Sequence, residues 1–289
     1  MELEELYYQY RPLLFSIAYR MLGTVSDAED IVHDVYLQAS EKAIGMVENN
    51  KAYLCKMVTN KCIDHLKSAG VKREVYVGPW LPEPLILNDN DPISDLINGE
   101  AVSFAFLLML EKLKPIERAV FILREVLVYD YLTIAQILNR SESNCRKILS
   151  RVKNQLPLNE EIEGTLEPKN KEIVKTFVLA LHEGNIQKIV GLLYKDVTLY
   201  SDGGGKVYAA LKPIVSKKLV GRFISNLLEQ NQNTLEPATV KVINVNGEIG
   251  LFVCGKDNVK TVFSFHVKND QIANIYVIRN PEKLRHVSL

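Results

Sequence analysis

The hydrophobic pattern of this chain changes its period once, and this change constrains the possible fold more than any other feature. Up to about residue 156, apolar residues recur at helical spacing, as in Leu14, Ile17 and Met21. Towards the end of the chain they alternate with polar residues, as in half-buried strands. The alternating segments lie near residues 238–245, 248–254, 260–267 and 271–278. The pattern predicts a multi-domain protein, with all-α domains first and an α+β domain last.

Charge is balanced over the whole chain but not within it. The 289 residues include 35 Lys and Arg and 35 Asp and Glu. Residues 1–165 have 18 basic and 24 acidic side chains, a net charge of −6, so residues 166–289 carry +6. A domain that binds DNA alone is usually basic. Nucleic-acid binding by this chain would therefore need a local cluster of cations or the help of a partner.

Several classes of function are disfavoured by what the sequence lacks. The cysteines Cys55, Cys62, Cys145 and Cys254 form no CxxC pair and no His/Cys cluster, so we expect no metal and no cofactor. The acidic start of the chain is unlike a signal peptide, and no apolar run reaches the length that spans a membrane. These features predict a cytoplasmic protein without membrane contact.

The first helical stretch covers residues 3–70. Gly23 is expected to end its first helix, and Ser26-Asp27-Ala28-Glu29 has the form of a capping box that opens the second. The acidic residues of that second helix recur at steps of three, four and seven: Asp27, Asp30, Asp34 and Glu41. Such an outward acidic face either contacts a basic partner or is simply solvated.

A third helix, from about Lys51 to Lys67, mixes aromatic, amide and basic side chains. The residues of this kind are Tyr53, Asn60, Lys61, His65 and Lys67. They suit stacking on single-stranded bases and pairing with phosphates. An ordinary polar helix surface has the same composition, so this pattern alone leaves both interpretations open.

Residues 71–100 break the helical pattern. Four prolines forbid a continuous helix here: Pro79, Pro82, Pro84 and Pro92. The only tryptophan of the chain, Trp80, lies in Gly78-Pro79-Trp80-Leu81-Pro82-Glu83-Pro84. A large aromatic residue next to Leu81 is unusual for a flexible linker. We therefore expect this segment to dock on another surface.

Residues 101–156 contain a helix-turn-helix pattern. Thr133 is expected to cap a short helix, Asn139 to end it in the left-handed conformation, and Ser141 to cap the next helix. That helix has a local net charge of +3, and its outward residues include Ser143, Asn144, Arg146, Lys147 and Arg151. Such a helix fits a DNA major groove, although a surface helix of a bundle has similar features.

Residues 166–289 predict helices packed on an antiparallel sheet. Pro168 is expected to open a helix through Leu181; a strand near Val197–Ser201 and a helix from Pro213 to about Gln230 follow. Asn246-Gly247 is a strong hairpin signal between two of the strands. Three glycines precede Lys206 without P-loop spacing, so we expect them to allow another backbone to approach.

Two blocks of the sequence resemble bacterial sigma factors of the extracytoplasmic-function (ECF) type. In residues 11–70 the resemblance lies in Ala18-Tyr19-Arg20-Met21-Leu22-Gly23, Asp27-Ala28-Glu29-Asp30-Ile31-Val32-His33-Asp34-Val35-Tyr36-Leu37 and Asn60-Lys61-Cys62-Ile63-Asp64-His65-Leu66. Residues 110–156 resemble the second conserved domain of that family, which reads the upstream promoter element. The order and spacing of the two blocks agree with the family.

The resemblance implies three binding roles. Asp30, Asp34 and Leu37 would bind the coiled-coil clamp helices of the β′ subunit of core RNA polymerase. The loop near Gly45–Asn50 would capture an unpaired base of the −10 element of promoter DNA, together with the third helix and its polar residues Asn60, Lys61, His65 and Lys67. The helix around Ser143–Arg151 would enter the −35 major groove. Family members are often rich in Arg after the third motif, whereas this chain continues Lys67-Ser68-Ala69-Gly70-Val71-Lys72-Arg73, with weaker positive charge.

A narrower resemblance covers nearly the whole chain. One subgroup combines motifs like Trp80-Leu81-Pro82-Glu83-Pro84, Asp202-Gly203-Gly204-Gly205-Lys206 and Asn280-Pro281-Glu282-Lys283-Leu284. Its members carry a fused SnoaL-like domain, an NTF2-like cone that is thought to regulate the sigma portion in cis. The three motifs would then form an interdomain docking contact. The implied division is sigma region 2 in 1–70, a docking linker in 71–100, sigma region 4 in 101–158 and the SnoaL-like domain in 166–289.

Two other functions fit parts of the pattern. A helix-turn-helix regulator could bind DNA without polymerase. Some SnoaL-like proteins are isomerases or cyclases with a pocket, which Tyr200, Asp202, His266 and Tyr276 could line here. A lone His on a strand is more often structural, so we expect no catalytic residues. An unidentified small-molecule ligand is the use we favour for such a pocket.

Overall fold

The computed structural model describes residues 3–41, 49–73, 76–87, 102–156, 168–232, 239–255 and 259–287. These residues form two compact units. The helical unit contains residues 3–41, 49–73, 102 and 107–156. The C-terminal unit contains 76–87, 103–106 and the described residues from 168 onward. Within the described ranges, no helix is long and apolar enough to cross a bilayer.

Among the described residues, seven α-helices belong wholly or partly to the helical unit. They are α1 (Leu3–Leu22), α2 (Val25–Glu41), α3 (Asn50–Arg73), α4 (Phe104–Glu111, from Leu107 onward), α5 (Pro115–Phe121), α6 (Tyr131–Leu138) and α7 (Glu142–Gln155). Helix α5 continues as a π-helical turn (Ile122–Val126). The central helix is α3, which packs against α1, α2, α5 and α6. Sigma-like regions that are far apart in sequence therefore share one packed body.

The helix ends confirm part of the predicted capping and correct the rest. Asn139 has a φ of 53° and ends α6, and the Ser141 hydroxyl accepts a hydrogen bond from the Asn144 amide, as expected. The cap of α6 is Asp130 and not Thr133, because the Asp130 carboxylate accepts from the Thr133 amide at 2.7 Å. Both residue types cap helices well, so sequence alone does not choose between them.

The predicted capping box at Ser26 is also wrong. Helix α2 begins at Val25, and the Thr24 hydroxyl donates to the Asp27 carboxylate at 2.6 Å. The Ala28 amide bonds to the Thr24 carbonyl, as in a first helical turn. Ser26 therefore lies inside the first turn, and Thr24 takes its expected place.

The C-terminal unit is a six-stranded sheet with helices on one face. Its helices are α8 (Pro168–His182), α9 (Ile186–Leu192) and α10 (Lys217–Gln232), and its strands are β1 (Leu193–Asp202), β2 (Ile214–Val215), β3 (Thr239–Val245), β4 (Glu248–Cys254), β5 (Lys260–Lys268) and β6 (Gln271–Ile278). The order is β2-β1-β6-β5-β4-β3, and only β1 and β6 are parallel. This is the expected α+β architecture.

Two details of the sheet differ in whether local sequence or a neighbouring strand determines the structure. Asn246 and Gly247 have φ values of 57° and 85°, so the predicted hairpin turn joins β3 and β4. The short strand β2 was not expected, and it delays the start of α10 from Pro213 to Lys217. Two residues carry too little pattern to predict a strand, and β2 exists because β1 offers it a pairing edge.

The helices cover one face of this sheet with a tight apolar core. Its members include Phe177, Ile189, Leu199, Phe265, Ile275 and Val277. The opposite face carries Tyr200, Ser264 and Tyr276, which are neighbours in register on β1, β5 and β6. The rings of Tyr200 and Tyr276 stack with centroids 5.7 Å apart, and Phe104 stacks on Tyr276 at 5.6 Å.

Candidate functional site

The acidic face of α2 is exposed in the helical unit. Asp30, Asp34 and Leu37 all point to solvent, and Leu37 is 53% exposed although it is apolar. The face is therefore accessible to a partner, as the predicted role requires, although a single exposed Leu is also common on protein surfaces. The side chain of Glu41, also predicted here, lies outside the described residues, as do residues 42–48 of the predicted base-capturing loop.

The predicted DNA-binding residues of α3 have partners within the helical unit. Lys61 Nζ lies 3.1 Å from the Asp34 carboxylate, and His65 Nε2 lies 3.6 Å from that of Asp27. Lys67 pairs with Asp64 at 2.9 Å. These ion pairs are substantially exposed, so they are weak and can exchange for phosphate contacts.

Asn60 is engaged by the helix-turn-helix itself. Its side-chain amide donates to the carbonyl of Ile137 in α6 at 3.4 Å. Nearby, the Cys55 thiol and the Tyr129 hydroxyl are 3.5 Å apart, and burial raises the pKa of both groups. The residue expected to hold a −10 base is therefore covered by the module expected to read the −35 element.

The recognition helix α7 has the predicted two-sided character. Cys145, Ile148, Leu149 and Val152 are buried. The opposite side is exposed and presents Ser143, Asn144, Arg146, Lys147 and Arg151. Arg146 contacts the ring of Tyr131, with Cζ 4.0 Å from the ring centroid, and pairs with Glu142 at 3.4 Å. A polar, cationic helix face on an apolar base is suited to a major groove.

In the C-terminal unit, the three motifs singled out in the sequence meet at one buried carboxylate. Asp202, at the end of β1, has no exposed side-chain surface. It accepts hydrogen bonds from the Leu81 amide at 2.8 Å, the Tyr76 hydroxyl at 2.5 Å and the Gly204 amide at 3.1 Å. Lys283 Nζ lies 2.7 Å from the same carboxylate. This set of donors satisfies a buried anion.

Besides Asp202, Lys283 contacts three residues of the linker segment. Its ammonium donates to the Leu81 carbonyl and lies 4.2 Å from the Trp80 ring centroid and 4.9 Å from that of Tyr76. A buried cation between two aromatic faces and a carboxylate is strongly stabilised. The Tyr76 hydroxyl also accepts from the Asn280 amide at 2.9 Å, and burial beside Asp202 raises the Tyr76 pKa.

The rest of the linker segment also lies on this unit. Pro82, Glu83 and Pro84 are buried, and the His286 ring contacts the Pro84 carbonyl at 2.8 Å. Further along, the amide of Leu85 donates to the Asn246 side chain at 3.0 Å, and Ile86 forms an antiparallel bridge with Val245. The segment therefore extends the edge of the sheet at β3.

The glycines of the second motif allow this close packing. Gly204 and Gly205 have φ values of 58° and 71°, and a Cβ on Gly203 or Gly204 would collide with Val207 or Asn280. Lys206 is exposed by comparison and pairs with Glu282 near Pro281, which lowers the pKa of that carboxyl. Tyr76 was missed in the sequence, where only its position four residues before Trp80 hinted at a role.

Tyr200, Asp202, His266 and Tyr276 were expected to line a pocket, and that expectation stays a prediction. The helices cover the opposite face of the sheet, the two tyrosines stack on each other, and Asp202 is committed to the linker. Burial lowers the pKa of His266, as for a structural histidine. An open groove of about 600 Å³ lies between α9 and α10, lined by residues that include Ile186, Val190, Lys217 and Arg222.

Comparisons with known proteins identify two conserved regions in the chain. Residues 6–71 match the model of Sigma-70 region 2, and residues 103–156 match that of Sigma-70 region 4. The ECF RNA polymerase sigma factor SigJ of Mycobacterium tuberculosis is 31% identical over 283 residues, which cover 94% of this chain and 90% of SigJ. The probable ECF sigma factor SigI of the same organism is 26% identical and covers 95% of this chain and 92% of SigI.

The similarity extends to three dimensions along the full chain. The crystal structure of Mycobacterium tuberculosis SigJ superposes with a TM-score of 0.81 at 28% identity, covering 98% of both chains. Sigma factors bind core RNA polymerase and promoter DNA and are not enzymes, so neither a stand-alone regulator nor an isomerase describes this protein. The chain, with its two sigma regions and its C-terminal α+β unit, belongs to the ECF family of RNA polymerase sigma factors.

Proposed function

We propose that this protein directs promoter-specific initiation through three surfaces, under the control of its own C-terminal domain. Asp30, Asp34 and Leu37 bind the clamp helices of the β′ subunit. The polar face of α3, from Asn60 to Lys67, binds the −10 element, and α7 reads the −35 element. The protein acts in the cytoplasm, where polymerase and promoters are. The four-part division at 1–70, 71–100, 101–158 and 166–289 serves as its working domain boundaries.

Control by the C-terminal domain is supported by one observation: the linker is buried against Asp202 and Lys283. In sequence, this linker is the only covalent connection between the two sigma regions. Its backbone is bound at Leu81 by both partners of a buried ion pair, and its side chains from Leu81 to Leu85 are buried. A linker fixed in this way restricts where the two regions can move.

Promoter binding requires that freedom. The −10 and −35 elements are about 25 base pairs apart by their names, or about 85 Å along the helix axis. A compact body the size of the helical unit has a radius of gyration of only about 13–15 Å. Since Asn60 is bonded to Ile137, the two regions must separate before both elements can be read. We infer that the docked linker opposes this separation.

Binding to purified core polymerase tests the first surface. Asp30→Ala combined with Asp34→Ala is expected to weaken the complex by about tenfold or more, since both carboxylates would pair with cations of the clamp. Glu29→Ala is the matched control, because Glu29 is exposed on the same helix and pairs only with Arg11, at 3.7 Å, among contacts resolved here. Equal affinity for both variants would overturn the assignment of this face.

A small-molecule ligand is a second candidate partner of the C-terminal unit. The groove between α9 and α10 supports it, because its apolar side chains and the cations Lys217 and Arg222 suit a molecule with an apolar chain and an anionic group. A thermal-shift screen with medium-chain carboxylates would test this. A rise in melting temperature in the wild type that is lost in Arg222→Ala would support ligand binding in this groove. If no compound shifts the melting temperature, this candidate function is wrong.

A further inference from the structure

Tyr131 lies between two guanidinium groups at the start of α6. Its ring centroid is 4.0 Å from Cζ of Arg146 and 4.9 Å from Cζ of Arg124. Both distances are within the range of cation–π contact. The three side chains come from three different elements, the π-helical turn, α6 and the recognition helix α7, so only the folded helix-turn-helix brings them together.

Arg124 and Tyr131 form a fixed support. Arg124 Nη1 donates to the Tyr129 carbonyl at 2.8 Å, which ties it to the loop that precedes α6. Tyr131 itself is half-buried and is the first residue after the Asp130 cap, whose carboxylate accepts from the Thr133 amide. The ring therefore has little freedom, because both its backbone and one of its faces are held.

Arg146 is the exposed member of the group. Its side chain is 59% exposed, and besides the ring it contacts the Glu142 carboxylate at 3.4 Å. Stacking uses the flat face of a guanidinium, and the N–H donors point outward in its plane. Nη2 of Arg146 contacts the exposed Glu142 carboxylate, and this weak contact can exchange for O6 and N7 of guanine in a major groove.

We propose that Tyr131 is a positioning residue that holds Arg146 in place to read a guanine in the −35 element. This inference rests on the proposed function, in which α7 enters the major groove. The ring restricts the arginine before DNA arrives, so less conformational freedom is lost on binding. Tyr131 touches no base in this account and acts only through Arg146.

Transcription from a promoter library randomised across the −35 element tests the proposal, with the full-length protein and core polymerase. Arg146→Ala first identifies the position at which guanine preference is lost. Tyr131→Leu is expected to lower the guanine preference at that position by about two- to fivefold, the value of an exposed cation–π contact. Tyr131→Phe keeps the ring face and is expected to keep the preference.

The control variant is Leu132→Ala, because Leu132 neighbours Tyr131 and is 57% exposed. It should leave base preferences unchanged. A double variant of Tyr131→Leu and Arg146→Ala should lose no more selectivity than Arg146→Ala alone. Both results would support positioning through Arg146.

Two results would overturn the inference, and they differ in whether the base-reading role of Arg146 also fails. If Tyr131→Leu lowers output equally at every −35 sequence, or leaves guanine preference intact, the positioning role fails while α7 remains the reading helix. If Arg146→Ala changes no −35 preference, Arg146 is not a base reader, and both its assignment and the inference fail.

Discussion

Nζ of Lys283 lies 2.7 Å from Oδ2 of Asp202, and the two side chains are only 7% and 0% exposed. Between them they bind both the amide and the carbonyl of Leu81. A charged pair buried this deeply is sensitive to the loss of either member, since the remaining charge loses its counter-ion. The same pair that stabilises the C-terminal unit therefore also fixes the linker.

Replacing Lys283 by Met is expected to destabilise the C-terminal unit by about 3–5 kcal/mol, the cost of leaving a buried carboxylate without its cation. Urea unfolding followed by the emission of Trp80, the only tryptophan, would report the change at the site itself. Lys206→Ala is the control, because Lys206 belongs to the same group of motifs but forms an exposed pair with Glu282. If both variants unfold at the same urea concentration as the wild type, the buried pair is not what holds the linker.

Core polymerase should release the linker when it binds. Trp80 is half-buried and packs over the Lys283 ammonium, so its surroundings should change once the contact opens. Because Trp80 is the only tryptophan of the chain, a fluorinated analogue incorporated into this protein alone reports on that position by ¹⁹F NMR. Its resonance should shift when unlabelled core polymerase binds. An unchanged Trp80 environment in the complex would mean that initiation proceeds with the linker docked.

Val128 is expected to lower the stability of the helical unit. It has a φ of 55° and is 74% exposed, so a β-branched residue adopts a left-handed conformation without gaining burial. Val128→Gly should raise the unfolding free energy by about 1 kcal/mol. This value is the cost of a left-handed conformation for a residue with a Cβ, minus the entropy that glycine loses on folding. Val128→Ala retains a Cβ and should gain less. If the glycine variant melts at or below the melting temperature of the alanine variant, the backbone at residue 128 is not strained.

The C-terminal unit should lose stability in mild acid because of His266. Burial lowers the pKa of His266 below its usual 6.5, so the unfolded chain takes up this proton at a higher pH than the folded one. The contribution of His266 is therefore greatest above pH 6.5 and is lost as the pH falls from there towards the lowered pKa. His266→Gln should flatten the fall in melting temperature between pH 7.5 and 5.5. Parallel curves for the variant and the wild type would exclude this residue as the cause.

Much of the fold was predictable because local signals and tertiary packing agree. Asn246-Gly247 makes its hairpin, Asn139 ends α6 and Ser141 caps α7, each through backbone chemistry that a few residues determine. Where two neighbouring residues offer the same chemistry, as Thr24 and Ser26 do, the surrounding structure makes the choice. Strand β2 follows the same logic, since its existence depends on β1.

The site was predictable only in part. Motif resemblance singled out Trp80, Asp202 and Lys283, and these residues meet in the C-terminal unit. Tyr76 and Tyr131 were not predicted, because a lone tyrosine in a sequence does not show which cation its ring will contact. Alternation likewise shows which residues share a sheet face, but not which face the helices cover.

The most direct test of the account is run-off transcription with core polymerase, comparing the wild type, Lys283→Met and Lys206→Ala on the same promoter library. If the docked linker restrains the sigma regions, Lys283→Met should increase promoter-specific transcripts at least about fivefold, within the usual range of coupling between sites. Lys206→Ala should match the wild type. Transcript levels for Lys283→Met that equal or fall below the wild type, with polymerase affinity unchanged, would contradict restraint by the docked linker.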